Sequence, residues 1–513
     1  MYPGIFAQRT PAKPAVIMAE TGQVLTYGEL EDHSARLARV LHDAGLRRGD
    51  VLALLSDNTV ECFEVYWAAI RSGLYITPIN RHLAPDEIAY IVNDSGARAL
   101  VVSAALAEVA EAVTAQAAAV ECRLAFGGPV PGYQDYATVL AGAGERLADQ
   151  PRGTEMLYSS GTTGRPKGVR LPMPDVRVDE QPAGIVPLFA AIYSLTDADV
   201  YLSPAPIYHA APLRWSGVFH ALGATVVLMT AFDAERALAA IDRYRVTVTQ
   251  FVPTMFVRVL KLPAAVRERY DTSSLRAVIH AAAPCPPQVK REMIDWLGPI
   301  VYEYYASTEG NGATFIDSQE WLRKPGSVGR SALGPAHVCD EDGKELPVGQ
   351  DGLIYFETEQ LPFEYHNDPG KTRSAQHPEH PNWTAVGDMG HVDGDGYLYL
   401  TDRKDFMIIS GGVNIYPRET EDVLALHPKV DDVAVIGVPD PEMGQQVKAV
   451  VQPAPGSDPG PALERELIEY VRARIAHYKA PSSVDFDPQL PRTPTGKLLK
   501  HVIRARYSTP ANA

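Results

Sequence analysis

Residues 158–169 read Tyr-Ser-Ser-Gly-Thr-Thr-Gly-Arg-Pro-Lys-Gly-Val, a run of hydroxyls and glycines closed by a lysine. Glycine lets the backbone adopt φ > 0 and bring N–H groups close to a ligand. Ser159, Ser160, Thr162 and Thr163 add hydroxyl donors, Gly161 and Gly164 open the turn, and Lys167 adds a mobile positive charge. Successive N–H groups in such loops form anion-binding concavities, so the chemistry suggested is polyphosphate binding. The common nucleotide loop, Gly-x-x-x-x-Gly-Lys-Ser/Thr, does not fit, because Pro166 stands where its second glycine is required. A flexible linker is the alternative reading, but it leaves Pro166, Lys167 and the apolar lead-in Met156-Leu157 without a purpose.

The stretch is similar to the signature loop of the adenylate-forming superfamily, which includes acyl-CoA synthetases. Four further segments resemble that family's motifs, in its order. Tyr305-Ala306-Ser307-Thr308-Glu309 resembles Tyr-Gly-x-Thr-Glu, with Ala306 where the family usually has glycine. Gly387-Asp388, within 383–390, resembles the Thr-Gly-Asp motif. Asp402-Arg403-Lys404-Asp405 and then Ser410-Gly411-Gly412 resemble the hinge and the loop after it. Pro494-Thr495-Gly496-Lys497 resembles the C-terminal Pro-x-Gly-Lys motif. The resemblance covers residues from about 26 to 507.

That resemblance implies two steps. A carboxylate attacks the α-phosphorus of Mg-ATP to give an acyl-adenylate and pyrophosphate; the thiol of coenzyme A then displaces AMP. In it the 159–164 loop and Lys167 hold phosphates, and Lys497 bridges the carboxylate and the α-phosphate. Thr308 contacts phosphate and Glu309 takes Mg²⁺. Tyr305, with Ala306 and Ser307, forms the adenine platform, and Ala282-Ala283-Pro284 forms the adenine edge. Asp388 and Arg403 hold the ribose, Asp405 is the hinge, and Ser410, Gly411 and Gly412 line a pantetheine passage. His209, in Pro206-Ile207-Tyr208-His209, matches an aromatic gate beside an acyl pocket expected among residues 208–215 and 302–312. Ala211, Pro212 and Trp215 point to an apolar lining there.

The elements that must position these residues follow from pattern. Thr26 with Glu29 reads as a capping box, and Leu30, Leu37 and Leu41 recur at helical spacing until Gly45. Residues 51–55 and 75–79 read as buried strands around a helix over 60–70, and 97–102 begins another unit. A second alternating stretch covers 200–280, with strands at 226–229, 246–251, 274–279 and 300–304 and a helix at 234–243. Such alternation predicts parallel sheets with covering helices. Glycine-punctuated segments over 327–400 suggest a small distorted barrel or sheet. Short strands at 433–438 and 448–451 and a helix over 463–476 follow. The expected fold is α/β. A large N-terminal domain (1–402) holds two αβαβα-type subdomains and a small distorted β-barrel, and a smaller α+β lid (403–513) hinges near Asp405.

With 513 residues, 46% hydrophobic and 21% charged, the composition is that of a soluble globular protein of more than one core. No secretory signal is visible, and the apolar stretch at 183–195 is too short to span a bilayer and contains Pro187. Cys62, Cys122, Cys285 and Cys339 are scattered, as in a cytoplasmic protein with reduced thiols. A formal net charge of −16 argues against nucleic acid as partner. Arg492, Lys497, Lys500, Arg504 and Arg506 follow the last acidic residue, Asp487, and offer a basic patch for an anion; a solvated tail is the alternative. The expected activity is an acyl-CoA synthetase for an apolar, fatty or cyclic, carboxylic acid. Competing readings are an adenylating enzyme with a carrier-protein acceptor, a luciferase-like oxygenase, and a specialist in one half-reaction. Self-association is left open.

Overall fold

The computed structural model describes residues 2–117, 119–159, 166–180, 182–403, 406–411, 413–492 and 498–507. Three sheets organise them. The first places Val51–Leu55 between Tyr75–Ile79 and Ala97–Ser103, with Cys122–Phe126 and Gln134–Asp135 beyond, all parallel. Both faces are covered by helices, so these strands are near-continuous apolar runs. On the other edge, Thr154–Ser159 pairs parallel with Tyr75–Ile79, then turns back antiparallel as Lys167–Arg170. A two-residue strand, Glu364–Tyr365, completes that edge.

The second sheet has a parallel centre of Thr225–Leu228, Val200–Ser203, Val248–Phe251, Ala277–His280 and Val301–Ala306. Past Val301–Ala306 the strands turn antiparallel, through Ala313–Ile316 and Ser327–Ser331 to Leu398–Arg403, Asp388–Val392, Gly352–Glu357 and Ala336–Cys339. Of the two alternatives for 327–400 this is the distorted sheet, hydrogen-bonded onto the parallel one. Its distortion lies at register shifts after Ser327 and Met389. At the first, Gly329 has φ +99°, and a Cβ there would meet the Phe315 carbonyl oxygen at 2.1 Å.

The capping box is present. The Thr26 hydroxyl accepts from Glu29 N–H at 3.2 Å and the Glu29 carboxylate accepts from Thr26 N–H at 2.8 Å, opening helix Tyr27–Asp43. Leu30, Leu37 and Leu41 on its inner face are fully buried. Two strands start later than their apolar runs. Arg245, in the left-handed region at φ +51°, ends helix Ala234–Tyr244, and Val246 N–H still bonds back to it, so the next strand begins at Val248. Leu275 N–H closes a turn onto Thr272, so that strand begins at Ala277 rather than at 274.

The third sheet is built on a long hairpin, Val430–Asp440 with Gly444–Pro453, joined by Ile408–Ser410, Val413–Ile415 and Ser483–Phe486. Helices Pro417–Leu424 and Pro461–Arg472 close its core. Arg418 donates to the Leu400 carbonyl of the second sheet at 2.8 Å, and Lys261, at the end of helix Pro253–Leu260, donates to the Val430 carbonyl at 3.2 Å. The basic tail is largely consumed within this unit. Arg492 pairs with Asp432, Lys500 with Glu421 at 2.9 Å and Arg506 with Asp487 at 2.5 Å, so the patch expected from sequence does not stand open to an anion at these positions. Among the described residues no helix is long and apolar enough to cross a membrane. All four cysteines are buried free thiols.

Candidate active site

The candidate residues gather where the carboxyl ends of the parallel strands meet the hairpin of the first sheet, the usual place for a ligand in an open α/β sheet. Ser159 and Lys167 face one another across that hairpin and hold the two ends of the hydroxyl-rich loop together. Ser160, Gly161, Thr162, Thr163 and Gly164 lie outside the described residues. Below the loop, the Tyr158 hydroxyl donates to Asp94 at 2.6 Å; burial and that carboxylate push the phenol well above its usual range. Tyr158 therefore packs and anchors the hairpin as a neutral phenol.

Opposite, the strand Val301–Ala306 delivers Tyr305, whose hydroxyl donates to Asp388 at 2.6 Å. Asp388 in turn faces Arg403 across the antiparallel pair of strands 388–392 and 398–403. Ala306 ends the extended strand with no left-handed φ, so alanine in place of glycine strains nothing in the backbone here. Ser307 donates to Asn311 at 2.7 Å, and Asn311 donates to the Thr384 carbonyl at 3.0 Å, which ties the turn to the antiparallel extension. In that turn the Thr308 carbonyl accepts from the Arg214 guanidinium at 3.3 Å. The Glu309 side chain is buried and accepts from the Tyr365 hydroxyl at 2.8 Å. A buried carboxylate with one oxygen still to offer suits a hard cation such as Mg²⁺.

Ala282, Ala283 and Pro284 form the loop after strand Ala277–His280. Ala282 is one of four non-glycine residues with positive φ among those described, at +74°. Beneath this loop sits a buried ionic cluster. Lys290 donates to Glu303 at 2.6 Å, with His280 3.5 Å from the same carboxylate oxygen. Burial pushes the Glu303 carboxyl up, but Lys290, with His280 and Arg418, holds the group below its ordinary value.

His209 caps helix Ala210–Leu222 in extended conformation, its ring tilted against Tyr208 at 4.5 Å. Burial raises the Tyr208 phenol, so that ring is apolar in character. The expected pocket wall needs one correction. Trp215 is wholly buried, its ring tilted against Phe189 at 4.4 Å and its indole N–H donating to Tyr304 at 3.2 Å. It belongs to an aromatic core with Tyr193, Tyr201 and Phe219 rather than to an open wall. Ala211, one turn earlier, stays partly exposed. Sequence reading passed over Arg214 and Tyr365. Both are isolated residue types in unremarkable segments, and their partners lie 94 and 56 positions away.

Ser410 and Gly411 lie in the third sheet, at the tip of the 408–415 hairpin. Gly411 has φ +56°, its N–H donates to the Met443 carbonyl at 2.8 Å, and a Cβ there would meet Met443 Cε at 2.4 Å. Gly412, Asp405 and Lys497 lie outside the described residues, and Arg403 is placed here by its backbone alone.

Comparison with known proteins covers nearly the whole chain. Residues 5–366 match the AMP-binding enzyme family and residues 419–497 its C-terminal domain. The chain is 33% identical over 512 residues to a long-chain-fatty-acid–CoA ligase of Mycobacterium tuberculosis, covering 97% of this chain and 96% of the relative. It is 34% identical to a feruloyl-CoA synthase of an Amycolatopsis species, covering 96% of each. ATP-bound MatB from Rhodopseudomonas palustris superposes with a TM-score of 0.83 at 30% identity, covering both chains completely. The chain therefore belongs to the AMP-binding enzymes of the adenylate-forming superfamily, and is an acid–CoA ligase of the AMP-forming family.

Proposed function

We propose that this enzyme is a cytoplasmic acyl-CoA synthetase that activates an apolar, fatty or cyclic, carboxylic acid and transfers the acyl group to coenzyme A. The observation carrying this reading is the convergence of three parts at one place. The hydroxyl-rich loop hairpin, the Thr308–Glu309 turn and the Tyr305–Asp388 pair meet at the carboxyl ends of the parallel strands. An apolar acid is supported by Ala211 and Tyr208 at the start of helix Ala210–Leu222. Two relatives are named for a long-chain fatty acid and for ferulate, which points the same way.

In this reading the first step brings a carboxylate toward a polyanion, so charge neutralisation and in-line positioning dominate the barrier. The 159–164 loop and Lys167 hold the terminal phosphates. Tyr305 presents a ring face to adenine, with Ala282, Ala283 and Pro284 along its edge. Asp388, with Arg403, takes the ribose hydroxyls. Lys497 stabilises charge where it develops, between carboxylate and α-phosphate. Glu309 and Thr308 face the phosphates; a magnesium ion bound there supplies Lewis-acid charge neutralisation. His209 and Tyr208 gate the acyl channel, and neither is required as an acid or base. For the second step the lid (403–513) turns about Asp405 and brings Ser410, Gly411 and Gly412 to line the thiol's approach.

The test is incubation with Mg-ATP and a panel of carboxylic acids, with and without coenzyme A, scored for acyl-AMP and acyl-CoA by mass spectrometry. Acyl-CoA from fatty or aromatic acids is expected. Acyl-AMP without acyl-CoA would transfer the reading to another acceptor, and turnover confined to small polar acids would overturn the apolar pocket.

A further inference from the structure

The Thr308–Glu309 turn belongs to the second sheet, whereas the hydroxyl-rich loop belongs to the first. Two side chains cross between them, one to each strand of the loop hairpin. Arg214 donates to the Thr308 carbonyl at 3.3 Å and lies 3.5 Å from Glu155, on the strand leading into the loop. Tyr365 donates to Glu309 at 2.8 Å from the short strand that pairs with the strand leaving the loop. Tyr365 is itself fixed on that edge. It stands opposite Val169, its N–H donates to the Thr372 hydroxyl at 2.9 Å, and the next residue's N–H donates to the Gly168 carbonyl at 2.8 Å. Gly168 follows Lys167 directly, so the phenol's foundation is one residue from the loop's lysine.

We infer that Tyr365 is a positioning residue that aims the Glu309 carboxylate at the metal accompanying ATP and ties that aim to the strand Lys167–Arg170. This rests on the reading of Glu309 as the metal carboxylate. Magnesium demands near-ideal octahedral geometry, so a carboxylate that swings freely binds it poorly. A hydrogen bond to one oxygen of a ligating carboxylate removes that freedom and leaves the other oxygen for the cation. Groups holding a ligand in this way typically contribute about 10–100-fold to metal affinity. Buried tyrosine packing alone, against Phe363 and Val169, would not require the hydroxyl at all.

Tyr365→Phe removes one oxygen and keeps the ring, so packing survives; thermal unfolding checks this. The full-length variant, wild type and Glu309→Gln are compared in two ways. One is the Mg²⁺ dependence of acid-dependent ATP–pyrophosphate exchange. The other is Mn²⁺ binding in the presence of ATP, read by electron paramagnetic resonance. For Tyr365→Phe we expect about a tenfold rise in half-saturating Mg²⁺ and a matching weakening of Mn²⁺ binding, with most of the turnover recovered at saturating metal. Weakened metal binding in Glu309→Gln beside unchanged metal binding in Tyr365→Phe would overturn the inference while leaving Glu309 in its role. Unchanged metal binding in both would remove Glu309 from the metal site and the inference with it.

Discussion

Two alanines border the nucleotide side of the site, and they cost the fold different amounts. Ala306 ends an extended strand and takes the place of a family glycine without strain. Ala282 is held at φ +74°, where a side chain costs roughly 1–2 kcal/mol, a strain that persists only because the surroundings over-determine it. The residue on which the two half-reactions divide is Lys497. Lys497→Ala is expected to lower acyl-AMP formation by ~10²–10³ while sparing coenzyme A transfer to a supplied acyl-adenylate. Equal loss in both half-reactions would remove it from the adenylation step. Residues of this kind were legible because they sit in short motifs with unusual composition. Tyr365 and Arg214 were not, because their meaning lies wholly in partners distant along the chain. Trp215 misled for the converse reason: an aromatic next to a gate motif reads as lining, and only packing reveals it as core.

At the level of elements, the parallel strands 277–280 and 301–306 and helix Pro287–Leu297 enclose charge directly beneath the adenine-edge loop. Burial lowers the His280 imidazole to about 3, as it does that of His220, so both are neutral at pH 7 and Lys290 is the effective counter-charge for Glu303. A histidine whose folded pKa lies below its unfolded value of about 6.5 binds fewer protons in the native state. Stability is then full above pH 6.5 and falls as pH drops toward 3, by up to about 1.4 kcal/mol per pH unit for each group. Glu303, held below its ordinary value, adds loss at the acid end of that window. His280→Leu is therefore expected to flatten the stability profile between pH 6.5 and 4, read from denaturant midpoints at a series of pH values. An unchanged slope would show that His280 is not protonated on unfolding. Elements were read well from periodicity wherever they were buried on both faces. Their starts shifted where helix-end and turn hydrogen bonds claimed the first apolar residues, at Val246 and Leu275.

Among the described residues the third sheet's unit meets the large two-sheet unit at Arg418, on the Leu400 carbonyl and Asp402, at Lys261, on the Val430 carbonyl and Asp431, and at Leu426. Polar contacts of this kind can be exchanged, as the proposed turn of the lid requires. If the 408–415 hairpin lines the thiol's approach, Gly411→Leu should leave acyl-AMP formation near normal and slow acyl-CoA formation roughly tenfold or more. Normal overall turnover in that variant would refute the passage. The general architecture was legible from alternation and motif order. The attachment of the antiparallel strands to the second sheet was not, since pairing between distant strands leaves no local signature.

One pairing has a consequence for how the chain is made. Pro14–Met18 finds its parallel partner in Thr225–Leu228, with Val16 opposite Val226. At a synthesis rate of about 5–20 residues per second, the N-terminal strand leaves the ribosome roughly 10–40 s before that partner exists. Until then it has only the three-residue strand Val24–Thr26 beside it. The first sheet's parallel strands, complete by residue 159, can assemble in that interval. During those seconds the nascent chain carries an open strand edge, the surface on which chaperone capture or mispairing between neighbouring chains would act.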